Sequence, residues 1–145
     1  MKKSLLLLFI LLITLIYSTP VSGQVTITSY SIYSLGVGVN TSKPLSAELK
    51  TFQNCPYEDM TFELALFYNF KPHTYHRFSA GFGLNSQPLN ENYINAFTLP
   101  LSLEIYPLQN FKKLSLVMEL TPMSNVDFDE FNVRYLWGFR YRFGN

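Results

Sequence analysis

Between Tyr33 and Phe143 apolar and polar residues alternate with a period of two, the pattern of β-strands whose two faces meet different surroundings. The plainest case runs from Met60 to Phe70. Phe62, Leu64, Leu66, Tyr68 and Phe70 fall on one face, and Thr61, Glu63, Ala65, Phe67 and Asn69 on the other. The same alternation marks residues 33–39, 45–51, 78–85, 97–105, 114–121 and 133–143, which makes seven strands, and no long stretch of this region carries the 3.6 period of a helix. Val25 to Ser29 supplies a short eighth strand, although Ser29-Tyr30-Ser31 is a poor hairpin turn. Pro100 falls inside its strand, where a missing N–H usually marks an edge or a bulge.

The identity of the two faces decides between solvents. One face is built of Leu, Val, Phe, Tyr and Trp and carries no charge. The other is mostly Ser, Thr, Gly and Ala with isolated charges: Glu48, Glu63, Glu104 and Glu119 against Lys50, Arg134, Arg140 and Arg142. A water-facing surface runs at roughly 25–35% charged residues, far above this. Small residues with sign-matched charges suit the crowded lumen of a narrow barrel, which leaves the apolar face for lipid. Strands of about nine to eleven residues match the ~9–11 that a tilted membrane strand needs. In lipid every backbone polar group must be bonded, so such a sheet has to close, and an even strand number makes eight the expected count. The expected fold is therefore all-β: an antiparallel up-and-down transmembrane β-barrel.

Composition adds to this picture. Charged residues make up 14% of the chain, aromatic residues 17%, and the formal net charge is +1. Without a Lys/Arg cluster there is no surface to neutralise phosphate backbones, so nucleic acid is excluded as the main partner. Met1-Lys2-Lys3-Ser4, the apolar run Leu5 to Tyr17 and the small-residue stretch Ser18 to Gly23 follow the order of a secretory signal peptide. The apolar run is too short to span a bilayer as a helix. Residues 1–23 are thus expected to be an export leader and 24–145 the barrel domain. Cys55, the single cysteine, can form no intramolecular disulfide.

The links between strands are sorted by charge. Met123 to Asn132, Asn85 to Asn95 and Gln53 to Asp59 contain only acids; Pro107 to Lys113, Lys71 to Arg77 and Thr41 to Pro44 contain only bases. Outer-membrane barrels end on the periplasmic side and carry their longer loops outside, so the acidic links are expected to face outward.

Candidate chemistry is sparse. His73 and His76 have a metal-like spacing but no third ligand nearby. Both map to the basic turns, away from Ser86 and Ser124 in the acidic links, so no nucleophile there has a histidine to activate it. Gly36-Val37-Gly38 and Gly81-Phe82-Gly83 lack the following helix that a phosphate loop requires, and read as room in the lumen. The Asn125 to Glu130 loop is acidic but lacks the glycine and spacing of a calcium loop. No cofactor is expected.

The closing segment Gly138-Phe139-Arg140-Tyr141-Arg142-Phe143 resembles the C-terminal assembly signal of Gram-negative outer-membrane β-barrel proteins, a glycine followed at three and five positions by aromatics. The resemblance implies that Gly138, Tyr141 and Phe143 are read by the barrel-assembly machinery. Leu136 stands where that family usually has a polar residue, and Gly144-Asn145 follow the normally terminal aromatic. In architecture the chain resembles the small eight-stranded barrels of the Bacteroidetes type. The leading expectation is a monomeric outer-membrane barrel, not an enzyme, embedded in outer-membrane lipid, whose outward loops do structural, adhesive or ligand-binding work. The alternatives are a secreted soluble β-barrel holding an apolar ligand, with the two faces exchanged, and a lipid-modifying outer-membrane enzyme.

Overall fold

The alternating segments form nine strands in the computed structural model, which describes residues 24–39, 41, 43–53, 60–88 and 94–144. The expected leader, together with Cys55, Glu58, Asp59 and Glu91, lies outside the described residues. In chain order the strands are β1 (Val25–Tyr30), β2 (Ser34–Val39), β3 (Leu45–Phe52), β4 (Thr61–Asn69), β5 (His76–Ser86), β6 (Ala96–Thr98), β7 (Leu101–Ile105), β8 (Leu114–Asn125) and β9 (Phe131–Phe143). Consecutive strands pair antiparallel except β6 and β7, which both lie between β5 and β8, and β9 returns to pair with β1 from Val25↔Phe143 to Tyr30↔Gly138, so the sheet closes.

β6 and β7 occupy one stave, which makes the barrel eight-stranded. Thr98 faces Gly83 and Leu101 faces Ala80 on β5, while the same two residues face Met123 and Leu120 on β8. Equal spacing on all three staves means that no residue is inserted. The expected bulge or edge at Pro100 is therefore replaced by a gap in the ladder. Gly81 N donates to Pro100 O at 2.8 Å and Leu99 N to Pro122 O at 2.9 Å, and neither proline has an N–H to return the bond.

The turn after β1 also departs from expectation. β1 runs through Tyr30, and the reversal is made by Ser31, Ile32 and Tyr33, so Tyr33 is a turn residue rather than the start of a strand. Ile32 (φ 65°) and Tyr33 (φ 49°) both adopt the left-handed conformation. Two successive left-handed residues give the twist that a tight hairpin requires, a task usually left to Asn and Gly. Ser31 N donates to Trp137 O at 2.6 Å and Gln53 N to Tyr33 O at 3.2 Å, which ties this turn to β9 and β3.

Burial follows the alternation. Thr26, Thr28, Glu63, Ala65 and Phe67 point inward and are buried, whereas Ile27, Leu64, Leu66 and Tyr68 point outward and are exposed. Most large apolar side chains on the outer face stay uncovered by the rest of the fold, with Leu66 at 63% and Trp137 at 57% as examples, and others such as Phe62, Phe97 and Leu116 are half-buried. Tyr30, Phe52, Val117 and Leu136 form a small apolar cluster in the interior, beside the buried Ala65 and Phe67. Leu136, unusual for the assembly-signal family at its position, thus packs inside.

Candidate functional site

Charged residues enter the interior because period two carries every second side chain of a stave inward. Glu48 and Lys50 on β3, Glu63 on β4, Glu104 on β7, Glu119 on β8 and Arg134, Arg140 and Arg142 on β9 all point there. Arg77 joins them. It was expected in a basic turn, but β5 begins at His76, and Arg77 is buried on that strand opposite Glu104. The interior therefore holds five bases with four acids among the described residues.

Two linked groups result. In the first, Lys50 Nζ reaches Glu119 Oε1 at 2.5 Å and Glu63 Oε1 at 3.0 Å, and Arg134 Nη2 reaches Glu63 Oε2 at 2.6 Å. Thr121 Oγ1 donates to Glu119 Oε1 at 2.8 Å. The Arg134 guanidinium lies over the Phe52 ring, 4.4 Å from its centre, so its apolar face is covered while its edge is ion-paired. In the second group Arg140 Nη2 pairs with Glu48 Oε2 at 2.7 Å, and its Nε donates to Thr28 Oγ1 at 2.8 Å. Glu104 accepts from Arg77, from Arg142 Nη2 at 3.0 Å and from Ser115 Oγ at 2.5 Å, with Arg140 Nη1 at 3.7 Å.

Tyr30 joins the two groups. Its hydroxyl donates to Glu48 Oε1 at 2.8 Å and accepts from Arg140 Nη2 at 3.2 Å, while Lys50 Nζ lies 5.7 Å from the centre of its ring. Sequence pattern alone puts Tyr30 in a turn, whereas the structure makes it the last residue of β1 with its side chain inward. Its signal was the single polar-ring residue at an even position of β1, in phase with Thr26 and Thr28. Gly36 faces Thr28 across the hairpin, and a Cβ there would meet Glu48 Oε1 and come within 2.9 Å of the Tyr30 ring. The glycine opens the space that this network fills.

The interior is packed. The space between Glu48, Phe67, Ser79, Ser102 and Arg140 amounts to about 10 Å³, room for one water molecule. Glu63 and Lys50 have no solvent exposure at all. At this depth a charge is tolerated only with partners, and breaking one pair by removing one member costs about 3–5 kcal/mol. The arrangement cross-links β3, β4, β8 and β9 through their side chains as well as their ladders.

The two ends of the barrel differ. The end where β1 starts and β9 stops carries the turns with Lys43, Lys71, Lys112 and Lys113, and no acid lies in these turns. His73 and His76 stack there with ring centres 5.1 Å apart, and among the described residues no group of three His, Cys, Asp or Glu could hold a metal. The opposite end carries Asp127, Asp129 and Glu130 on the β8–β9 turn. That turn is shaped by Asn125, whose Oδ1 accepts from Asp129 N at 3.1 Å and Glu130 N at 3.3 Å. Phe128, left-handed at φ 60°, leaves the turn and stacks on Phe97 of the outer wall, with ring centres 5.6 Å apart. Ser86 and Ser124 sit towards this end, at the opposite end from both histidines.

Gly138, Tyr141 and Phe143 lie on β9 at the seam. A Cβ on Gly138 would run into Ser29 O and come within 2.8 Å of the Tyr30 Cα, so the seam closes only around a glycine. Tyr141 and Phe143 point outward with ring centres 4.8 Å apart. Comparison of the chain with protein-family models, curated proteins and solved structures finds no match.

Proposed function

We propose that this chain is a bacterial outer-membrane β-barrel protein, exported by its N-terminal leader. The observation that carries the reading is an inverted surface. Staves of a closed barrel keep their charges inside and paired, and turn Leu, Val, Phe, Tyr and Trp outward all the way round. In water such a belt far exceeds the apolar patches that soluble monomers expose. In a bilayer it is the side that meets hydrocarbon, and closure leaves no ladder edge to satisfy.

On this reading the lipid is the main partner and the basic turns face the periplasm. The assembly machinery acts on the Gly138 to Phe143 strand, and the protein works as a monomer. The acidic Asp127, Asp129 and Glu130 turn is then displayed outside, where structural, adhesive or ligand-binding work is done without catalysis. A soluble carrier of an apolar ligand would need an apolar cavity, and the interior is instead filled by Lys50, Glu63, Glu119 and Arg140. A lipid-modifying enzyme would need a histidine beside the outward loops, and both lie at the other end.

Fractionation of expressing cells tests the proposal. The expected result is recovery in the outer-membrane pellet, extraction only with detergent, and a gel band that shifts on boiling. Recovery in the aqueous phase without detergent would sink it.

A further inference from the structure

The mouth of the barrel at its basic end holds a cleft of about 370 Å³, within the size range of small-molecule sites. Arg77, Arg142, Lys112, Tyr106 and His73 line it. Arg77 and Tyr106 are both more than nine-tenths buried. Their positions follow from the strands: Arg77 sits one residue into β5, Tyr106 follows β7 and Arg142 precedes the end of β9.

The positive charge of this cleft is not fully used. Arg77, Arg140 and Arg142 converge on one carboxylate, Glu104, and both of its oxygens are already occupied. Arg140 has a second acid in Glu48, but Arg77 and Arg142 have none among the described residues. Arg77 Nη1 is bonded to Thr41 O, and the buried Nε–H of Arg77 and that of Arg142 have no acceptor among the described residues. Donors of charged groups are not left unpaired in a protein interior without cost, since each loses about 1–3 kcal/mol of solvation. Lys112 adds an ammonium at the rim, Tyr106 a phenol whose oxygen lies 3.4 Å from Arg142 Nη2, and the adjoining turns carry no acid.

We propose that this cleft is a phosphate-binding site, in which Arg77 and Arg142 grip the anion from below, Tyr106 donates from the side and Lys112 closes over it. Guanidinium forks recognise both carboxylate and phosphate oxygens. Donors approaching from several directions suit a tetrahedral anion with three or four oxygens better than a planar carboxylate with two. The phosphate can belong to a soluble molecule or to a lipid headgroup at the bilayer surface. The inference does not depend on the membrane proposal, because the cleft, its charge and its unpaired donors are features of the closed barrel itself.

The test uses the full chain, purified in phosphate-free buffer with a zwitterion-free, non-ionic detergent, and follows ³¹P line broadening on titration. Inorganic phosphate is one probe, dihexanoyl phosphatidylglycerol a second, and acetate a competitor. Saturable broadening of either phosphorus probe is expected, weakened about ten-fold or more by Arg142→Gln and by Lys112→Gln. Lys113→Gln removes the same charge from the same turn outside the cleft and is expected to leave binding intact. Saturation by inorganic phosphate supports a soluble source. Saturation by phosphatidylglycerol alone supports a headgroup. No saturation by either, equal weakening by Lys113→Gln, or equal competition by acetate would overturn the assignment. Arg142 and Lys112 are chosen because Arg77, deeper and tied to Glu104, also holds the fold.

Discussion

Lys50 and Glu119, 69 positions apart in the chain, meet at 2.5 Å inside the barrel, where neither has any contact with solvent through its side chain. The same ammonium holds Glu63 from the adjacent stave. One lysine therefore compensates two buried carboxylates that stand on separate staves, β4 and β8.

Replacing it exposes that dependence. Lys50→Met leaves Glu63 with Arg134 alone and Glu119 with only a hydroxyl donor, and is expected to lower unfolding free energy by about 3–5 kcal/mol. Urea titration in detergent, followed through Trp137, the single tryptophan, measures it. Adding Glu119→Gln to Lys50→Met is expected to recover part of the loss, since the uncompensated charge is then gone. A double variant no more stable than the single one would contradict this account.

Two glycines separate backbone from side-chain constraint. At Gly138 a Cβ collides with the backbone of Ser29 and Tyr30, which cannot swing away. At Gly36 it meets the end of Glu48 and the Tyr30 ring. Gly138→Ala is expected to destabilise by about 1–3 kcal/mol, as overpacking does, and Gly36→Ala by less. Thermal loss of the compact gel form of the two variants, compared side by side, gives the order. The reverse order would refute the seam argument.

The outer wall offers a direct probe of its solvent. Leu66 lies in mid-stave on β4 with its side chain outward. On a lipid-facing wall Leu66→Arg is expected to cost about 2–4 kcal/mol near the bilayer midplane and to reduce insertion into vesicles. In a water-facing wall the same change would be harmless and would improve solubility, so unchanged stability with detergent-free monomers would count against the membrane reading.

The ladder gap around Pro100 and Pro122 predicts local opening. With no N–H to return, the Leu99–Pro122 pair has one bond instead of two. Pro122→Ala supplies the second, worth about 1 kcal/mol, and is expected to slow amide exchange at Leu99 by several-fold. Exchange no slower than in the parent chain would show that the gap does not limit opening there.

Much of the fold was legible in the chain. Period two is a local property: each residue's neighbours at two positions fix which face it shares, so the charged positions 48, 50, 63, 104, 119, 134, 140 and 142 could be grouped before any contact was known. Strand ends were less legible. Arg77 was assigned to a turn because Tyr75 and His76 broke the alternation, and Tyr30 because nothing in Ser31-Ile32-Tyr33 signals a left-handed reversal.

The amino-acid sequence by itself determined that the chain makes strands with one uncharged face, a balanced set of charges on the other, and acidic and basic links at alternate ends. The tertiary structure alone decided that β9 closes on β1, that Lys50 chooses Glu63 and Glu119, that Tyr30 joins the two ionic groups, and that Arg77 and Arg142 crowd onto one carboxylate. The reason is physical. Facing is set by the pleat over two or three residues, whereas partnership across a barrel is set by register and closure, which depend on all eight staves at once.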